Sequence, residues 1–495
     1  MERKCDQFFD AIEKTQLALG FNDVRLKTGY SEILPEEAQL KTHFSRNVEL
    51  QIPIVSAAMD TVTESSMAIA IAKLGGLGII HKSLTPKEQA SLVAKVKYAL
   101  NGFISSPICV LENSTVEEIL QMREEKAYKF FSFMVTDTTG KIVGVVTHDD
   151  FDYCSNNQNK ISAIMSSEII SATPDIGISE VYKIMTDKHK KILPIFDGSM
   201  FKGIYTLSDI KRIMNGNVQG YNLDPNGSLR VGAAIGVGAD TEERLALLSK
   251  SRVDVVVIDT AHGNSKKVID IIKYCKNNYP NIDVVAGNIS EAEAAKRLVE
   301  AGADGIKVGQ GPGSICTTRI VAGIGRPQLS AVYECEKIIR GSGVPICADG
   351  GIEYSGDITM ALGAGADCVM MGRLLAGTTE SPGEVIYIDN RQVKVYRGMG
   401  SLEAMLKNKA SRERYGQADT SVDKLVPEGV KSYIDFKGDV APIIYQLTGG
   451  LRAGMGYIGA VTVQDLQVKA DFLRITSAGL AESHPHGLNY IENKN

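Results

Sequence analysis

The chain has 495 residues, too long for one small core, and its 44% hydrophobic and 23% charged residues are those of an ordinary globular protein of two or three domains. Its 54 basic and 59 acidic residues leave a net charge of −5, and no long basic block supports binding to nucleic acid. No run of about 18 apolar residues occurs, the start has no apolar leader core, and the eight cysteines show no C-x-x-C pair, so a soluble, cytoplasmic protein without membrane span, zinc site or disulfide framework is expected.

After a charged leader, Ile52–Ser56 reads as a short buried strand, followed by a helical pattern over Glu64–Leu74. Leu77–Ile80 is again strand-like, and Thr85-Pro86 opens a helix with proline at its first position. Strand, helix, strand, helix predicts parallel strands joined by crossover helices.

Between about Gly102 and Gly220 the pattern changes. Gly144–Phe151 matches Gly203–Ile210, and Val116–Ile119 matches Ile178–Val181. Each half carries a T-x-x-D turn entering a helix, Thr147 with Asp150 and Thr206 with Asp209. Such a turn is a helix cap, or a hydroxyl and carboxylate that hold the ribose of an adenine or guanine nucleotide.

The first pattern then resumes. Strand-like runs fall at Val231–Ile235, Val255–Asp259, Val284–Asn288, Ile306–Gly309, Pro345–Asp349 and Cys368–Gly372, separated by helical patterns such as Glu242–Ser251, Glu291–Ala301 and Leu329–Ile339. With the two early strands the count is eight, which predicts an α/β fold, a (β/α)8 TIM barrel over residues 1–101 and 221–495 with residues 102–220 inserted. Thr378–Leu447 reads as a long polar segment with few periodic runs, of the kind that forms lids.

Active sites of such barrels lie at the carboxyl ends of the strands. Asp259, Asn288, Asp349 and Gly372 fall there, as does the loop Gly309-Gln310-Gly311-Pro312-Gly313-Ser314-Ile315-Cys316-Thr317-Thr318-Arg319. Its glycines allow close approach to a ligand, and oriented amides and Arg319 can lower the pKa of Cys316 and make the thiol a nucleophile. Gly350 and Gly351 after the seventh strand, with Met371, Gly372 and Arg373 after the eighth, are placed to hold a phosphate. Asp349 can also cap the following helix, and the glycines can serve only a tight turn. No Walker A motif and no strand-linked G-x-G-x-x-G occurs, so a dinucleotide is not expected in a Rossmann domain.

GPGSICTTR at 311–319, PIVSAAMDTVTE at 53–64, DTAHG at 259–263, ICADGGI at 346–352, YRGMGS at 396–401 and ESHPH at 482–486 together resemble the IMP dehydrogenase/GMP reductase family, and within it the IMP dehydrogenases. The paired repeats resemble the tandem CBS (Bateman) module that some members carry. The resemblance implies oxidation of IMP to XMP with NAD in guanine nucleotide synthesis, with Cys316 adding to C2 of the base. It implies hydrolysis of the adduct by a mobile flap, about residues 388–430, with Arg414 as base, Tyr415 beside it and Thr318 assisting the water. It places IMP on Ser314, Asp349, Gly350, Gly351, Met371, Gly372, Arg373, Tyr396, Gly398, Met399, Gly400 and Glu428, and NAD on Asp259, Asn288, Gly309 and Gly311. A potassium ion would sit on the carbonyls of Gly311, Gly313 and Cys316, completed by Glu482, Ser483 and His484 of a neighbouring subunit in a homotetramer. Adenine or guanine nucleotides would bind the module at Thr147, Asp150, Thr206 and Asp209. Arg373 stands where some relatives carry serine, and Ala261 where others place serine. GMP reductase, which deaminates GMP with NADPH, shares the cysteine loop; Arg414-Tyr415 and Pro427-Glu428-Gly429 favour the dehydrogenase.

Overall fold

A computed structural model describes residues 3–100, 103–104, 107–125, 131–174, 176–214 and 218–486. The chain separates into two compact units: one of the residues up to Val96 with Gly220–Asp224 and Leu229 onward, the other of Lys97–Gln219 with Pro225–Ser228. The sequence boundary at residues 101 and 102 lies outside the described residues.

In the larger unit eight strands close into a barrel: β1 (Ile54–Ser56), β2 (Leu77–Ile80), β3 (Gly232–Ile235), β4 (Val255–Asp259), β5 (Asp283–Ile289), β6 (Gly305–Val308), β7 (Ile346–Asp349) and β8 (Cys368–Met371). All neighbours are parallel, and β8 pairs with β1 to complete the ring. The strands read as continuous apolar runs because parallel strands under crossover helices are buried on both faces. Val55, Leu77, Ile79, Ala234, Val257, Val285, Cys347, Cys368 and Met370 belong to one buried cluster, joined by Phe44, Val48 and Leu50 from an N-terminal hairpin. A buried Cys packs as a small hydrophobe, so Cys347 and Cys368 act here as filling.

The helices are α1 (Ser65–Lys73), α2 (Pro86–Tyr98), α3 (Thr241–Lys250), α4 (Lys266–Asn278), α5 (Ala292–Glu300), α6 (Gln328–Ile339), α7 (Ser355–Gly363) and the short α8 (Arg373–Ala376). Their apolar stripes face inward: α5 buries Ala294, Ala295 and Leu298 and leaves Glu293 and Lys296 at the surface.

The expectation of an irregular segment over Thr378–Leu447 is corrected. Ile386–Ile388, Arg391–Arg397 and Lys431–Asp435 form an antiparallel sheet, Leu402–Lys407 and Lys409–Arg414 are helical, and a helix over Val440–Ile458 takes in the last residues. Polar composition hid the sheet because Lys394 is buried in its middle strand. Its ammonium donates to the carbonyls of Thr378 at 3.0 Å and Ser381 at 2.6 Å, which offsets the desolvation of the charge.

The smaller unit contains two three-stranded sheets. One orders Cys109–Leu111, Phe133–Thr136 and Ile142–Val146; the other orders Ile192–Asp197, Met200–Thr206 and Phe103–Ile104. Each has its own buried cluster, around Phe133 and Val146 in one and around Leu193 and Tyr205 in the other, so the sequence repeat is also a structural one.

Candidate active site

The loop after β6 is shaped by close backbone approaches. At Gly309 (φ 149°) a Cβ would lie 2.1 Å from the Asp349 carbonyl oxygen, so only glycine lets this loop leave β6 flush against β7. Arg319 folds the loop back on itself, its Nε–H donating to the Gln310 carbonyl at 3.2 Å and its guanidinium also to the Arg326 carbonyl. The far side of the loop is pinned by backbone hydrogen bonds. Thr317 N–H donates to the Glu428 carbonyl at 3.1 Å, Val430 N–H to that of Ile315 at 3.0 Å, and Gly398 N–H to that of Val430 at 3.0 Å. Three separate chain segments therefore share one register. A Cβ at Gly398 or Gly429 would come 3.2 Å from the Ile315 carbonyl oxygen, which fits glycine at both.

Cys316 is partly exposed on this loop, and its Sγ–H donates to Thr318 Oγ1 at 3.2 Å. Burial pushes the thiols of Cys5 and Cys275 up to about 12 and that of Cys368 well above its usual value. A thiol locked neutral in a core is not a nucleophile. Cys316 opens on a cavity that Asp349, Tyr396 and Arg414 also line.

The cavity floor is ionic. Lys307 is buried in β6, and its Nζ donates to Asp259 Oδ1 at 2.9 Å, to Asp349 Oδ2 at 2.5 Å and to Asn288 Oδ1. Asn288 Nδ2–H donates in turn to Asp349 Oδ2 at 2.9 Å and to the Gly309 carbonyl at 2.7 Å. The carboxyl ends of four adjacent strands thus meet through one ammonium.

One wall carries the groups expected to hold a mononucleotide. Tyr396 is buried and bonded to the Ser314 hydroxyl; burial pushes its own hydroxyl up to about 12, against the pull of Ser314 and Arg373. Gly350 (φ 91°) and Gly351 (φ 83°) form a left-handed turn after β7 beside Pro312. At Gly372 a Cβ would press on Tyr396 Oη at 2.9 Å and Met59 Sδ at 3.1 Å. Arg373 forms an ion pair with Glu353 at 3.5 Å. Met371, at the end of β8, is buried. Gly372, Gly398, Met399 and Glu428 line the cavity with Asp349 and Gly350, as do Gly309, Gly311 and Gly313.

The opposite wall comes from the end of helix Lys409–Arg414. The Arg414 guanidinium is ion-paired with Asp259, and the Arg414 carbonyl accepts from Ala261 N–H at 3.2 Å. Tyr415 sits over Gly400, where a Cβ would be 2.5 Å from the ring carbon Cζ; burial raises the pKa of its hydroxyl. Arg414, Tyr415, Thr318 and Cys316 line the same cavity.

Other expected groups lie elsewhere. Glu482 ends helix Ser477–Glu482, and His484 packs edge-on against Tyr354 at 6.1 Å. With Ser483 it borders a different cavity, so this chain does not bring them to its own Gly311–Cys316 loop. Among the described residues the carbonyls of Gly311 and Cys316 accept no hydrogen bond, while that of Gly313 accepts from Cys316 N–H at 3.0 Å. Carbonyl oxygens left open on a glycine loop fit a monovalent cation. In the smaller unit, Thr147 caps its helix and its Oγ1–H donates to Asp150 Oδ2 at 2.9 Å; Thr206 does the same to Asp209 at 2.6 Å. Thr147 and Asp150 also line a cavity with Lys190 and Lys191.

Sequence reading missed Lys307 and Gln310. Gln310 is buried and bonded to the Ser290 hydroxyl at 2.7 Å and the Ala261 carbonyl at 3.0 Å. The signal for Lys307 was a lysine inside an otherwise apolar barrel strand, in a row of strands of which β4 and β7 end in aspartate.

A parallel eightfold barrel with a partly exposed thiol, an ionic floor and a glycine-lined wall at its strand ends has the layout of a barrel enzyme with its site at the carboxyl ends of the strands. The family model of the IMP dehydrogenase / GMP reductase domain matches residues 18–486, and the chain belongs to that family. Inosine-5'-monophosphate dehydrogenase of Aquifex aeolicus is 48% identical over 479 residues, 96% of each chain. The enzyme of that name from Staphylococcus aureus is 46% identical over 475 residues, 95% of this chain and 96% of its own. Among solved structures, a cysteine variant of GMP reductase from Trypanosoma brucei in complex with guanosine 5'-monophosphate superposes with a TM-score of 0.81 at 39% identity, covering 96% of this chain and 99% of its own.

Proposed function

We propose that the protein oxidises IMP to XMP with NAD, in guanine nucleotide synthesis, through a covalent bond to Cys316. The observation that carries the reading is that Cys316, Thr318, Asp349 and the Arg414-Tyr415 pair line one cavity. The Cys316 thiolate adds to C2 of the hypoxanthine, which makes that carbon tetrahedral and able to release hydride to the nicotinamide ring. The thioimidate left on sulfur is then cleaved by water, which returns the thiolate and yields XMP. Asp349 accepts from the ribose hydroxyls, and Ser314, Tyr396 and the amides at Gly351 and Gly372, with Arg373, hold the phosphate. Gly350, Met371, Gly398, Met399, Gly400 and Glu428 enclose the base and sugar.

Asp259 and Asn288, with Gly309 and Gly311, face the dinucleotide. Arg414 is ion-paired with Asp259, so Arg414 and the dinucleotide compete for that carboxylate. This supports residues of about 388–430 acting as a flap that enters after hydride transfer. Arg414 and Thr318 then orient the water, and Arg414 takes its proton with Tyr415 beside it. Arginine is a poor base in water because its guanidinium holds its proton tightly.

A potassium ion would rest on the Gly311, Gly313 and Cys316 carbonyls, with Glu482, Ser483 and His484 supplied by a neighbouring subunit of a homotetramer, and would steady the loop that presents the thiol. Adenine or guanine nucleotides would bind the tandem CBS module, residues 102–220, at Thr147 and Asp150 and at Thr206 and Asp209; ATP or GTP should then alter activity or assembly.

The test is absorbance of reduced cofactor with protein, IMP, NAD and potassium. IMP-dependent reduction is expected. NADPH oxidation with GMP and no signal with IMP would instead establish the reductase reaction, the reading favoured by the solved neighbour.

A further inference from the structure

We infer that Lys307 is a positioning residue that keeps Asp259 and Asp349 ionised together and aimed into the cavity, tying the dinucleotide and mononucleotide sides of the site to one ammonium. The inference rests on the reading that Asp349 binds the IMP ribose.

Lys307 is 1% exposed and Asp259 3%, so neither charge is screened by bulk water. Two carboxylates turned toward one cation would repel strongly without it, and one would take up a proton. A protonated Asp349 offers a donor where two ribose hydroxyls need an acceptor. Lys307 Nζ reaches both carboxylates and the Asn288 amide oxygen, which uses all three of its donors. No fourth partner is left for a ligand, so Lys307 acts through the groups it holds. The other titratable groups that face this set are Arg414 on Asp259, Tyr396 beside Asp349, and Cys316, Tyr415 and Glu428 around the cavity. With Arg414 docked the two anions meet two cations; with Arg414 withdrawn Lys307 is, among the described residues, the one cation left between them.

The experiment is calorimetric titration of IMP into the full-length enzyme at pH 6 to 9, with thermal unfolding as the check on folding. For Lys307→Met, IMP affinity should fall at least tenfold at pH 7 and recover as pH rises, because Asp349 must first lose the proton that Lys307 kept off it. Wild type should be flat over the same range. The double variant Lys307→Met/Asp259→Asn removes the competing carboxylate. It should regain affinity, to within about threefold of Asp259→Asn alone, and lose the pH dependence. A folded Lys307→Met that binds IMP as wild type does at every pH overturns the inference. If Lys307→Met does not fold, a more than tenfold gap between the double variant and Asp259→Asn overturns it instead. Wild type that binds no IMP would sink the functional reading itself, a separate outcome.

Discussion

Arg414 and Asp259 form an ion pair that brings the end of a helix far along the chain onto the carboxyl end of β4. The same aspartate accepts from Lys307, so what Arg414 does is felt on the barrel floor. A group that binds there and then leaves can make room for a cofactor in one half-reaction and serve water in the next.

Arg414→Ala should therefore slow hydrolysis by on the order of a hundredfold or more, the usual worth of a positioned proton acceptor, while hydride transfer changes little. A rapid burst of reduced cofactor followed by a slow steady state is the expected trace. Equal slowing of burst and steady state would count against the flap role.

Gly400→Ala tests the placement of Tyr415 without touching its hydroxyl. The new Cβ would come 2.5 Å from the ring, so the tyrosine must move. Slower hydrolysis by on the order of tenfold to a hundredfold is expected. Adduct breakdown in single-turnover experiments reads this directly.

Arg397 fixes the strand that presents Tyr396. Its Nε–H donates to Asp60 Oδ1 at 3.2 Å with both side chains largely buried, and its guanidinium also pairs with the more exposed Glu403 at 3.1 Å. Arg397→Met leaves Asp60 without its cation and should cost about 3 kcal/mol, as for other buried pairs broken from one side. A loss below about 1 kcal/mol in denaturant unfolding, the scale of a surface pair, would contradict the assignment.

Acid stability has an identifiable contributor away from the site. Burial alone would raise the Asp6 carboxyl, but hydrogen bonds from Arg340, the Arg3 N–H and Tyr333 outweigh it and hold it at about 2. The folded value lies below the unfolded one, so its stabilisation is full above pH of about 4 and is lost as pH falls toward 2, by about 2 kcal/mol. Asp6→Asn should lower the unfolding temperature at pH 7 and flatten its dependence below pH 4. An unchanged acid limb would refute this.

The barrel was legible because each strand is a short apolar run and each crossover helix a periodic one, and β4 has the bounds read from the sequence. The cysteine loop was legible from its glycines and hydroxyls. Lys307 was not, since a lysine in a strand is ordinarily a surface residue and only the side-by-side pairing of β4 through β7 brings both aspartates to it. The sheet over Ile386–Asp435 was obscured for the same reason, its buried Lys394 being satisfied by backbone carbonyls that no local pattern announces. Arg414-Tyr415 was legible only through the family resemblance; tertiary packing turns the pair inward.

The most direct measurement is intact-protein mass spectrometry of enzyme quenched during turnover with IMP and NAD, with fragment mapping of the modified residue. The expected result is a purine nucleotide adduct on Cys316 that forms within the first turnover, builds up in Arg414→Ala and is absent in Cys316→Ala, which should still bind IMP. Full turnover by Cys316→Ala, or an adduct on any other residue, would contradict the central claim.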